Sequence, residues 1–307
     1  MKQLLKVFCL LSVLSLFACK QDKNLSTEQV PIIKENDATA TTKQFNAYWY
    51  AGKAELNSYE LKQSRYGEIR EGEVVLVFVT EPFSLSKQVK LDNPQGAGND
   101  HVPVMKLNKI RKFTTGIYEY SVVTSTFTPI DFKKYPHTLK LNTSMQEWCG
   151  HTFTQLNLAE KNYNFQEFSY FESEGDTEKN IPIALLEDEL MPRIRLNKGA
   201  LPLGEVDIIF STVYSRFSHQ ELKASKANIS KTTSDSIVNY TVAYLKYDRT
   251  VSIAVQKEFP YKILSWTEDD GDGLITEARL KKTLIEPYWN QKSIADEAKR
   301  KELQLID

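Results

Sequence analysis

Cysteine is scarce: only Cys9, Cys19 and Cys149 occur in 307 residues, so a disulfide framework is not what holds this chain together. The four histidines, at 101, 137, 151 and 219, show no ligand spacing, which leaves little material for a zinc centre. Glycine (12) and proline (11) are too few for a collagen-like or low-complexity chain. Charge of one sign is lacking too. Lys plus Arg (39) nearly cancels Asp plus Glu (40), so no field is available to hold a polyanion, and nucleic acid is not an expected partner. Walker, Rossmann, HExxH and nucleophile-elbow patterns are missing, and no cofactor is expected. What is present is 41% hydrophobic residues and a negative mean hydropathy, the balance of a soluble body with a sizeable core.

The N-terminus reads as an address. Lys2 and Lys6 form a basic start, and the apolar run from Val7 to Ala18 is too short to span a bilayer. Leu16-Phe17-Ala18-Cys19 resembles a bacterial lipobox, in which the cysteine is acylated and becomes the first residue after cleavage. Residues 1–18 are then a signal peptide, and their removal takes the formal net charge from −1 to −3. Residues 19–44 are polar and read as the lipidated cysteine followed by a flexible tether. The chain is expected in the cell envelope, lipid-anchored and on the outer membrane, where Cys149 has no disulfide partner.

Residues 45–290 alternate by twos and are dense in Tyr, Phe, Val, Ile and Thr, which predicts a single antiparallel β domain. The expected fold is mainly β, a large curved antiparallel sheet or open barrel of roughly a dozen strands, in meander order, with one short covering helix. A β-sandwich is the alternative. The helix is expected over Ile183 to Met191, ending near Pro192. Residues 291–307 read as a polar, solvated C-terminal tail.

Glu147-Trp148-Cys149-Gly150-His151 is the most pointed cluster. Read as one strand, it places Glu147, Cys149 and His151 on a shared face, where a thiol beside an imidazole could act as a nucleophile or all three could ligate zinc. The ordinary reading has Cys149 as a small buried residue and Trp148 in the core, with Gly150 packed beneath a backbone or an aromatic ring. Glu268, Asp270 and Asp272 stand at positions 1, 3 and 5 of a calcium-loop pattern, but Arg279 occupies the twelfth position, where a bidentate carboxylate is needed. An acidic turn between strands explains the same residues. Ser84 to Lys87 matches S-x-x-K without a companion motif. Tyr48-Trp49-Tyr50, Trp266 and Tyr288-Trp289 could stack on sugars or line a lipid cavity; closing the core is their commoner use.

Through Tyr48 to Glu55, Ser58 to Gly72, Gln146 to Asn157 and Phe168 to Asp176, the chain resembles a family of bacterial outer-membrane or periplasmic lipoproteins that carries no established activity. Some members bear the label septum formation inhibitor Maf. Maf nucleotide pyrophosphatases open with Ser-x-Ser-Pro-Arg-Arg on an α/β architecture, and neither feature is found here, so that enzyme is not carried over. The resemblance implies a non-enzymatic binding or structural role toward a lipid, glycan or protein partner, with the membrane held through the N-terminal anchor. The alternative is a thiol-dependent or hydrolytic enzyme using Cys149 and His151.

Replacing Cys19 by serine is expected to abolish acyl labelling and to move the protein into the soluble envelope fraction. Metabolic labelling with palmitate plus fractionation checks this, and membrane retention of an unlabelled wild type would contradict it.

Overall fold

The computed structural model describes residues 35–305, with side chains from residue 42 onward. Residues 1–34, which hold the expected signal peptide, Cys19 and the first part of the expected tether, lie outside the described residues. Two compact units divide the chain at residue 41, and the second, Thr42–Asp307, contains the whole β domain.

Among the described residues fifteen strands form one sheet. The first arm is a meander of β1 (Ala54–Arg65), β2 (Glu68–Ser84), β3 (His101–Thr115), β4 (Tyr118–Pro129), β5 (Lys140–Glu147), β6 (Gly150–Leu158), β7 (Asn162–Ser169) and β8 (Thr177–Pro182). The second comprises β9 (Leu185–Leu186), β10 (Gly204–Ile209), β11 (Ala224–Thr233), β12 (Ile237–Tyr244), β13 (Thr250–Gln256), β14 (Ile263–Asp269) and β15 (Ile275–Glu286). β1 pairs antiparallel with β15, joining the arms at the middle of the sheet, while β8 and β9 are its two edges. Only Ile183 and Ala184 separate those edges in sequence, so they approach within about 11 Å there. The sheet therefore curls nearly back on itself, but no ladder joins β8 to β9: it is an open barrel.

The curl brings distant strands together. β3 and β14 are separated by three strands, about 19 Å along the sheet. Even so, Arg111 of β3 reaches Glu268 of β14 at 2.6 Å across the concave face. Two short helices fill the space between, α2 (Leu190–Leu196) and α3 (Thr212–Ser218). α2 starts where the sequence pattern expected a helix to finish. Pro192 lies in its first turn, where a missing N–H costs no intrahelical bond, so the residue helps begin the helix that it was expected to stop.

Arg195 anchors this filling. Its guanidinium forms a two-pronged pair with Glu55 of β1 at 2.6 and 2.7 Å, donates from Nε to the Pro260 carbonyl at 2.8 Å, and lies over the rings of Trp49 and Phe78. Burial alone would raise the Glu55 carboxyl, but the Arg195 charge outweighs it and holds the group at about 2.

Two expectations about the ends of the domain are corrected. Residues 35–49 form α1 (Glu35–Trp49), so the expected tether is helical from Glu35. Phe45, Tyr48 and Trp49 are spaced at i, i+3 and i+4, and that stripe packs on the core through Trp49 against Phe78. The C-terminal tail is likewise docked. After α4 (Ala298–Glu302), Leu303 is buried on the outer face with Ala54, Leu56, Val77 and Val79, and its carbonyl accepts from the Ser58 hydroxyl.

Arg195→Met is expected to destabilise the fold by about 3–5 kcal/mol, because it strands a buried carboxylate, and Arg195→Met with Glu55→Gln should recover part of that loss. The sign with pH follows. Glu55 is depressed in the fold, so its contribution is present above about pH 4.5 and is lost as pH falls toward 2. Thermal melts of both variants across that window check the energies and the slope.

Candidate functional site

The run Leu185 to Met191 places three acids between apolar pairs, and it enters the concave face of the sheet. Glu187 receives Arg249 at 2.5 and 3.3 Å and the Tyr244 hydroxyl at 2.5 Å. Asp188 accepts from the Ser211 hydroxyl at 2.9 Å, from the Thr212 backbone N–H at 2.9 Å and from its hydroxyl at 3.1 Å. Glu189 accepts from Thr138 and pairs with Arg193 at 3.2 Å. The second half of the network comes from β3 and β14. Glu268 is met by Arg111 at 2.6 Å, by Lys109 at 3.5 Å and by the Trp266 indole N–H at 3.0 Å, while Arg111 also donates to Gln63 at 2.7 Å. Arg249 joins the halves, because it also contacts Asp270 and lies 3.9 Å over the Tyr214 ring.

The electrostatics follow from burial and from an excess of acid. Lys109, Arg111 and Arg249 face Glu187, Asp188, Glu268 and Asp270. Burial lowers the Lys109 ammonium, with Arg111 adding to the effect. Burial would raise Glu268, yet Arg111 and Lys109 hold it well below the carboxylate range. Asp188 is raised chiefly by burial. Asp270 is pushed up to about 6 by burial, since Arg249 is shared with Glu187 and does not offset the neighbouring acids. Perturbed groups of this kind mark functional candidates. Three of them, Lys109, Asp188 and Glu268, line a cavity of about 30 Å³ together with Thr126 and Trp266. That volume holds a water molecule and neither a metabolite nor an acyl chain.

The cluster expected on one strand face is divided by a turn. Glu147 ends β5, Trp148 and Cys149 form the turn, and Gly150 opens β6, with His151 exposed beyond it. Cys149 is exposed and free, so it is not a buried packing residue. Its backbone N–H donates to the Glu147 carboxylate at 2.6 Å, and that carboxylate also takes the thiol proton as a hydrogen bond and pushes the thiol up, the opposite of thiolate activation. Gly150 does lie beneath an aromatic ring: a Cβ there would sit 2.5 Å from Tyr170 Cδ1. Trp148 is 70% exposed, which corrects its placement in the core. It belongs to a rim, because Tyr66, Ile117, Tyr170, Leu245 and Ile275 are exposed on or beside the other turns at the same end of the sheet.

The calcium-like residues also diverge. Glu268 faces Arg111, Asp270 faces Arg249, and Asp272 accepts from the Ser64 hydroxyl and the Leu274 backbone N–H, each at 2.9 Å. Among the described residues no group of three His, Cys, Asp or Glu side chains could hold a metal ion. Ser84 and Lys87 form a loop clasp: the Ser84 hydroxyl donates to Asp100 at 2.5 Å and accepts from the Lys87 backbone N–H at 3.0 Å.

Open depressions lie elsewhere as well, one of about 250 Å³ beside Gly72, Phe113 and Tyr120, and two larger ones. The wider, of about 710 Å³ between β7, β8 and α3, pairs several of its charges with one another: Arg216 with Glu174 at 2.7 Å, His219 with Glu174 at 3.3 Å, and Lys179 with Glu221 at 2.8 Å. The other, of about 330 Å³, lies at the end of the sheet opposite the rim and gathers Trp49, Tyr50 and Trp289 with Lys53, Glu81 and Lys90. Here aromatics from two separate sequence clusters meet. Tyr48 and Trp266 go elsewhere: Tyr48 donates to Glu55, and Trp266 is buried against Tyr59. No family model, curated protein or solved structure matches the chain.

Trp148→Ala is expected to change stability by no more than about 0.5 kcal/mol, against about 3–5 kcal/mol for a core tryptophan. Denaturant unfolding of Trp148→Ala beside Trp266→Ala measures both, and a large loss in the first would contradict its place on the rim.

Proposed function

We propose that the mature chain is a membrane-anchored envelope lipoprotein with a non-enzymatic binding role, held through an acylated Cys19 and engaging its partner on the outside of the β body. The lipobox and the resemblance to envelope lipoproteins support the anchor. The observation that carries the binding reading is the contrast in space: Lys109, Asp188 and Glu268 line about 30 Å³, whereas the aromatic groove offers about 330 Å³ to solvent. Catalysis needs a reacting atom brought within about 3 Å of activated groups, and a chamber of one-water size gives a substrate no such place. The thiol alternative is weakened by Cys149 itself, which sits on a turn with its proton held by Glu147.

Native mass spectrometry of the protein purified from its own membrane, with titration by a fluorescent fatty acid, tests this reading. The expected result is covalent acylation at Cys19 with no further acyl chain bound and no saturable fatty-acid uptake. One lipid per chain that survives purification, beyond the anchor, would overturn it.

A further inference from the structure

The aromatic groove is built from both ends of the domain. Trp49 and Tyr50 come from α1 and the turn after it, Val79 to Pro82 from the end of β2, and Trp289 from the turn after β15. Tyr50 is 51% and Trp289 39% exposed, so each presents ring surface to solvent, and Tyr288 packs edge-on to Trp289 with centroids 5.5 Å apart. The volume stands at the lower end of the roughly 300–1,000 Å³ usual for small-molecule sites.

The polar lining narrows the chemistry. The Glu81 carboxylate lies 3.5 Å from Lys90 and 3.7 Å from Lys106, which places charges of both signs at the groove. An isolated anion would face Glu81, and an isolated cation would face Lys53 and Lys90. The groove lining offers the ammonium donors of Lys53 and Lys90 beside the Glu81 carboxylate acceptor. Hydroxyls both accept and donate, so a ligand rich in hydroxyls answers both kinds of group, while an aliphatic chain answers neither. A pyranose combines such hydroxyls with a face of C–H bonds that stacks on an aromatic ring.

We infer that this groove binds an uncharged pyranose oligosaccharide, the ring lying on Tyr50 and Trp289 with its hydroxyls directed to Glu81, Lys53 and Lys90. The inference rests on the proposed binding role and names its ligand class. Peptide and bilayer are the competing occupants.

The test uses full-length acylated protein in micelles of a detergent without a sugar headgroup, titrated calorimetrically with tetramers of N-acetylglucosamine, glucose and galactose. Saturable binding of at least one tetramer is expected, weakened at least tenfold by Trp289→Ala and by Tyr50→Ala. Both side chains are exposed, so both variants should melt like wild type, and Glu81→Gln, which keeps the shape and removes the charge, should weaken binding as well. Absence of saturable binding by all three tetramers overturns the inference. So does binding that Trp289→Ala and Tyr50→Ala leave unchanged. Retention on phosphatidylglycerol vesicles that is lost in Trp289→Ala would give the groove to a bilayer and also overturn it. A lipid found inside the body would instead sink the binding role itself, and the two failures are told apart by which ligand binds.

Discussion

Arg249 is shared between Glu187 and Asp270, and the architecture depends on that sharing. Buried carboxylates are costly unless hydrogen-bonded and paired, and removing one member of such a pair leaves a charge with nowhere to go. Glu187 and Asp188 enter from the segment before α2, Glu268 and Asp270 from β14 and the turn after it, and Lys109 and Arg111 from β3 on the other arm. The cations thus hold three parts of the chain in one geometry. Arg195 repeats the device at the far end of α2 through Glu55, so the short helix is fixed at both ends by ion pairs. A sheet whose edges are not paired needs such ties, because no ladder closes it.

The same packing decides where function can lie. Side chains and the α2 and α3 segments fill the concave face, leaving room for about a single water in its charged centre. Exposed apolar side chains gather at the turns of one end, and the mixed aromatic groove occupies the other. The fold therefore sets a filled interior apart from two outward surfaces.

The strands were legible because alternation and β-branched residues recur wherever one sheet face is buried. Antiparallel meander order was legible along most of the sheet for the same reason, but β9 and β10 pair in parallel through the connection that carries α2, which corrects the expectation of a wholly antiparallel sheet. Tyr66-Gly67 shows a turn that alternation conceals: both residues take positive φ, a two-residue turn, and the charged stretch Glu68 to Glu73 that follows is strand. The break at Trp148-Cys149 was hidden for a similar reason, because a tight turn between two strands preserves the alternation on either side. α1 escaped because Tyr48 and Tyr50 also fit a period of two. Glu187, Asp188 and Glu189 fall within the expected helix of Ile183 to Met191, where acids fit a solvent face; an acid run enclosed by apolar pairs was the available signal that they are held in the interior. Lys109, Arg111 and Arg249 carried none, since their partners come from sequence separations that no local pattern reports.

Everything proposed for the outer surfaces requires the segment from Glu187 to Leu196 to be a fixed part of the core and not a lid over a hidden chamber. Hydrogen–deuterium exchange at neutral pH measures this directly, residue by residue, against β3 and β14 as internal standards. Protection of this segment comparable with those strands, unchanged when a fatty acid is added, is the predicted result. Exchange near the rate of an unstructured chain, or protection that rises with fatty acid, would show an interior that opens and would contradict it.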